Sequence, residues 1–219
     1  MLGVAMEAGL AEFGDGEKAI ELLNELYKRS PLGHILGQGA QFAGEAYGVT
    51  RIPTVKRQGM PAYEPRAVKG IGVTYITSTM GADHTAGYTI APEILAVGGQ
   101  AEPLSTKDKI GLSKAFQQTT AFIDASGYCL FIAFPILDIT TGFEGVIETV
   151  NAMLGTTYSA DDVTKIGDEI LRLERDFNCR AGIGKEADRA PEFMTYEKLP
   201  PHNHVWDISD EELDSFWDK

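Results

Sequence analysis

Apolar residues recur at intervals of three and four along most of this chain. The clearest run is Ser159 to Phe177, where Val163, Ile166, Ile170, Leu173 and Phe177 fall on one stripe and Ser159 with Asp162 resembles a capping box. A helix is predicted there. Another is predicted over Glu17–Arg29, with Ala19, Ile20, Leu23, Leu26 and Tyr27 on one side, Asp15 at the N-cap and Lys28 and Arg29 complementing the dipole at the other end. Gly37–Tyr47 reads as a further helix closed by Gly48. After Arg66, the apolar positions Val68, Ile71, Val73, Tyr75 and Ile76 keep a helical period but alternate with glycine and threonine, which suits close packing. Ser105–Ala125 is a long helix candidate anchored by Ile110, Leu112, Phe116, Phe122 and Ile123, and an acidic helix runs from Ser209 to about Trp217.

No alternating apolar run is long enough to build a sheet, so the predicted fold is all-α and multihelical. Val49–Pro65 carries three prolines and reads as a connector, which divides the chain into two helical lobes with a boundary between 1–53 and 54–219.

Charge removes some functions from consideration. Acidic residues outnumber basic ones 32 to 19, and a formal charge of −13 repels a phosphate backbone, so nucleic acid is not expected as a partner. The longest apolar stretch, Tyr128–Ile139, is interrupted by Pro135 and Asp138, so no membrane segment is expected. The opening residues lack a basic stretch and carry Glu7 early, and a cytoplasmic protein is the expectation. With only Cys129 and Cys179, the chain builds neither a disulfide framework nor a closed thiolate metal site by itself.

Taken one at a time, the candidate chemical residues have plain readings beside the functional ones. His84 follows Gly81-Ala82-Asp83 at a break in the chain, where an imidazole serves as acid, base or donor, or is simply a hydrogen-bonded residue. Cys129 sits beside Gly127 in an apolar stretch, which suits a small buried hydrophobe as well as a ligand. Asp124 closes an apolar helix, and Cys179 reads as structural. Lys56, Arg57, Arg66 and Lys69 form a modest basic group, read as a solvated face, and His202 with His204 read as a polar loop rather than a metal pair.

Together these segments resemble a known family. Gln58-Gly59-Met60-Pro61-Ala62-Tyr63-Glu64-Pro65-Arg66, running on to Gly81-Ala82-Asp83-His84, is similar to the G-x-E-x-P-A-Y-D-P-R stretch and G-A-x-H loop of the tungsten-containing aldehyde:ferredoxin oxidoreductases. Asp124-Ala125-Ser126-Gly127-Tyr128-Cys129 resembles their D-S-x-G-x-C element. Ile166-Gly167-Asp168-Glu169-Ile170 through Asn178, followed by Ala190-Pro191-Glu192-Phe193, resembles G-E-R-I-x-N-L-E-R-x-F-N and the later L-P-x-R-F. The segments keep the family's order and spacing.

The resemblance implies that 1–53 is part of the family's middle helical domain and 54–219 its C-terminal helical domain. It also implies oxidation of an aldehyde substrate to a carboxylic acid at a tungsten (or molybdenum) bis-molybdopterin centre, with electrons leaving through a 4Fe-4S cluster to ferredoxin. By motif, Cys129 would be a cluster ligand, Asp124, Gly127 and Leu130 would lie against a pterin, and His84 would serve catalysis beside the metal. The family's three-cysteine cluster motif has no counterpart here. Both cofactors are therefore expected only together with an N-terminal domain of the same enzyme, the chain alone is expected to be inactive, and a homodimer is a further expected partner. The alternative is a non-catalytic helical interaction domain that kept the fold without cofactors.

Overall fold

The computed structural model describes residues 1–139 and 141–218. The architecture is helical, as the periodicity predicts. α1 (Leu2–Glu7), α2 (Gly16–Lys28), α3 (Pro31–Gly37) and α4 (Ala40–Tyr47) gather around Val4, Leu22, Leu36, Ala40 and Ala43. Asp15 caps α2 by accepting from the Lys18 amide at 2.8 Å. Gly37–Tyr47, expected as one helix, is divided: α3 stops at Gly37 and Gly39 takes a φ of 95° before α4 begins.

The proline-bearing connector contains the molecule's small departure from an all-helical fold. β1 (Thr54–Val55) pairs antiparallel with β2 (Gln58–Gly59) across a turn in which both Lys56 and Arg57 are left-handed. The hairpin packs beneath α5 (Lys69–Thr77), every residue of which is buried, so α5 shows no polar face for a sequence pattern to reveal. Around α5 lies the second core, with Val68, Ile71, Tyr75, Phe193, Trp206 and Phe216.

Burial of α5 draws its charges inward, and three of the four basic residues read as a solvated face are instead held inside. Lys69 Nζ lies 2.6 Å from Asp207 and below the Trp206 ring. Arg66 pairs with Glu64 at 2.8 Å, and Lys56 is enclosed with Asp188, leaving Arg57 as the exposed member. Buried charges persist only when paired.

α6 (Lys109–Ala125) and α9 (Ala160–Arg180) form the long helical pair behind the site. The capping box at Ser159 and Asp162 is formed as predicted. Gly167 permits their close approach, since a Cβ there would stand 2.0 Å from the Gln118 carbonyl oxygen. The stripe predicted from α9's period is only partly buried: Val163 faces inward, Ile166 and Ile170 are half-buried, and Leu173 and Phe177 are exposed, while Leu171, outside that stripe, is buried. On α6, Phe122 and Ile123 are buried as expected, but the rest of the inward face is polar, with Ser113, Gln117 and Thr120 taking the places expected of Leu112 and Phe116. Two elements not anticipated, α7 (Ala133–Asp138) and α8 (Gly142–Leu154), close a third core around Phe122, Val146, Val150 and Val163. Short helices α10 (Phe193–Tyr196) and α11 (Asp210–Asp214) complete the fold, the latter followed by a 3-10 turn to Trp217. No helix among the described residues is long and apolar enough to cross a membrane.

Candidate functional site

The site is built from the two chain breaks that follow α5 and α6. Beyond Thr77 the chain turns through Gly81, whose φ of 104° is denied to most side chains and whose position leaves no room for one, since a Cβ would meet the Val55 carbonyl at 2.8 Å. The loop is fastened from two sides. From the hairpin, Lys56 Nζ donates to Ile76 O at 2.6 Å and Gln58 Nε2 to Ala82 O at 3.4 Å. From α9, Asn178 Nδ2 donates to Thr79 O at 2.7 Å and Glu174 accepts from Thr79 Oγ1 at 2.6 Å. Asp83 then accepts from both the amide and the hydroxyl of Thr85, at 3.0 and 2.6 Å. This spends its carboxylate on the turn, with His84 Nδ1 3.8 Å away, buried and without a hydrogen-bond partner among the described residues.

At the second break, Asp124 lies in the last turn of α6. The Gly127 amide donates to the Asp124 carbonyl, and Gly127 itself adopts a φ of 83°. Cys129 follows in extended backbone and opens the 3-10 turn Leu130–Ile132. Burial raises the Asp124 carboxyl above its ordinary value, and repulsion by Asp83 and Glu174 raises it further. A carboxylate at a helix C-terminus is already disfavoured by the dipole, so nothing local in the fold rewards its charge.

These breaks face one another across a cavity of 410 Å³. His84, Asp124, Cys129 and Leu130 all line it. Gly127 does not. It borders an adjoining groove with Ser126, Tyr128 and Met153. Cys129 is exposed rather than a packed core residue, and so is Cys179. Tyr128 and Leu130 are half-buried, and the uncovered apolar side chain at the rim is Phe131, 84% exposed.

Among the lining residues that the sequence did not single out are the rings of Tyr63, Tyr88 and Phe134. The His84 ring stands 5.5 Å from Tyr63 and 5.8 Å from Tyr88, and Phe134 meets Tyr88 edge-on at 5.5 Å. The Tyr63 and Tyr88 hydroxyls are hydrogen-bonded to each other. A signal existed for Tyr63, which sits within the Pro61-Ala62-Tyr63 motif, and for Tyr88, four residues beyond His84 in the same loop. For Phe134 there was none, because an apolar stretch does not announce which ring leaves the core.

An open, mainly apolar concavity with a few converging polar groups and an exposed thiol is the form of a small-molecule site on a helical domain. Comparison with known proteins gives that class its family. Residues 3–219 match the model of domains 2 and 3 of aldehyde ferredoxin oxidoreductase, and the chain belongs to that family. It is 35% identical over 191 residues to the tungsten-containing aldehyde ferredoxin oxidoreductases of Pyrococcus horikoshii and Pyrococcus abyssi, and 34% identical to that of Thermococcus kodakarensis. In each case the match covers 86% of this chain and 31% of the relative. The chain thus spans about a third of the length of these tungsten-containing relatives.

Proposed function

We propose that this chain forms the helical wall of an aldehyde-oxidising site in a tungsten (or molybdenum) enzyme, and that the rest of the enzyme is supplied by the N-terminal domain of the same protein. The observation that carries the reading is the gathering of His84, Asp124, Cys129 and Leu130 around one cavity, from two segments far apart in sequence.

The residues suit a pterin-held metal and a 4Fe-4S cluster chemically. Cys129 offers an exposed soft sulfur, Asp124 an acceptor for a heterocycle's N–H groups, and Leu130 an apolar contact. Among the described residues no group of three or more His, Cys, Asp or Glu is placed to hold a metal ion. The remaining ligands belong to the N-terminal domain. When bound, the metal centre supplies the two-electron oxidation of aldehyde and water to carboxylic acid, and the cluster carries the electrons towards ferredoxin.

This chain's own contribution is to bind and orient. With Nδ1 enclosed and Asp83 committed to Thr85, the Nε2 side of His84 is the edge left to hold or move a proton at the aldehyde oxygen. Gly127 lets the backbone turn between Asp124 and Cys129, so that both face the cofactor side. A cytoplasmic homodimer fits the same reading.

The test is reconstitution. Co-production with an N-terminal domain from a tungsten-containing relative, in tungstate-supplemented medium, is expected to give aldehyde-dependent reduction of ferredoxin, which His84→Ala removes. A stable, tungsten-loaded assembly that reduces no ferredoxin with any aldehyde sinks the reading and leaves the non-catalytic interaction domain in its place.

A further inference from the structure

The walls of the cavity carry information beyond the reaction class. Four rings follow one another along one side: Tyr63 lies 5.5 Å from His84 and 5.7 Å from Tyr88, and Tyr88 is 5.5 Å from Phe134. The two contacts made by Tyr88 to Tyr63 and Phe134 are edge-on, with interplanar angles of 79° and 76°. This is the arrangement aromatic rings prefer, and a wall built this way offers both ring faces and ring edges to whatever enters. Phe131 adds a further uncovered ring at the rim. Aliphatic cover is thin by comparison, consisting of Leu130 and Ala133.

The polar groups at this wall point to an uncharged acceptor. Tyr63 and Tyr88 bring two phenolic protons but share one hydrogen bond, the only one either hydroxyl makes within the described residues. One proton is therefore left to donate. Burial, and after it the bond to Tyr63, pushes the Tyr88 phenol up to about 12, so it stays protonated at neutral pH. Asp124 in the same lining disfavours an anion.

Resting on the function proposed above, we propose that the site selects aldehydes carried on an aromatic ring, of benzaldehyde to arylacetaldehyde size, over unbranched aliphatic aldehydes of similar length. The ring lies against Tyr88 and Phe134, and the carbonyl oxygen accepts from the spare phenolic proton and from His84.

Binding to the 219-residue chain tests this without any cofactor. Phenylacetamide and hexanamide share a neutral carbonyl head of the same kind and differ in the ring, and NMR titration gives the affinity of each. Phenylacetamide is expected to bind about tenfold more tightly, the scale of one or two added ring–ring contacts. Phe134→Leu should erase that preference while Phe134→Tyr, which keeps the ring, retains it, with circular dichroism confirming that both variants fold. Equal affinities for the two amides, or a preference untouched by Phe134→Leu, overturn the proposal.

In the assembled enzyme, kcat/KM for phenylacetaldehyde is expected to exceed that for hexanal by a similar factor. Turnover of both aldehydes without preference overturns the aromatic selectivity and leaves the aldehyde-oxidising reading intact. Selective amide binding in an assembly that oxidises no aldehyde supports the ligand class and overturns the reaction.

Discussion

Lys56 Nζ stands 2.6 Å from Asp188 Oδ1, with the two side chains 4% and 3% exposed, and Arg175 reaches the other oxygen of the same carboxylate at 2.8 Å. One buried anion thus joins the hairpin to α9 and holds the lysine that fastens the loop before His84. Removing Asp188 strands two buried cations. Asp188→Ala is expected to lower stability by about 3–5 kcal/mol, read from urea unfolding. A loss below ~1 kcal/mol would show that water enters and screens the pair.

Gly81 is required by conformation and by space together. Gly81→Ala imposes a side chain at a φ of 104° and drives its Cβ to within 2.8 Å of the Val55 carbonyl. The expected cost is about 1–3 kcal/mol, accompanied by shifts in the His84 imidazole signals as the loop moves. Unchanged His84 resonances would mean that the loop accommodates the methyl elsewhere.

Gly167 sets how closely α6 and α9 approach. Gly167→Ala places a methyl where the Gln118 carbonyl already stands, so destabilisation on the order of 3 kcal/mol is expected, the upper part of the range for overpacking. Thermal unfolding measures it, and a melting temperature equal to the parent's contradicts the packing described.

Asp124 is held against its own preference. Its carboxyl is raised in the fold, by burial first and then by Asp83 and Glu174, so the protonated form is favoured by folding and ionisation costs stability. That stability is fully present below the ordinary carboxylate value, near about 4, and is lost as pH rises through the raised folded value. Asp124→Asn is therefore expected to melt higher than the parent at pH 7, with the difference closing as pH falls. A variant less stable at pH 7 would assign the carboxylate a structural role instead.

Cys129 and Cys179 are both exposed in the chain alone, so a maleimide should label both. Assembly with the N-terminal domain and its cluster is expected to protect Cys129. The chain by itself is expected to bind no stoichiometric four-iron cluster, since two cysteines cannot supply four thiolates. Undiminished labelling of Cys129 in an iron-loaded assembly removes it from the ligand set.

The sequence by itself determined what depends on neighbours along the chain. The cap at Asp15, the capping box at Ser159 and Asp162, the left-handed stop at Gly48 and the helical class of the fold all rest on contacts within a turn or two, and the structure contains each of them. The Asp124 to Cys129 and Gly81 to His84 motifs were legible for the same reason, being short and locally ordered. Tertiary structure decided what depends on partners distant in sequence. Lys69 and Lys56 look like surface residues until Asp207 and Asp188 arrive from the far end of the chain. Leu173 and Phe177 continue a core stripe that the neighbouring elements leave uncovered. Tyr63, Tyr88 and Phe134 become one wall only when three segments meet, because burial and ring contact are properties of the packed molecule and have no period along the chain to betray them.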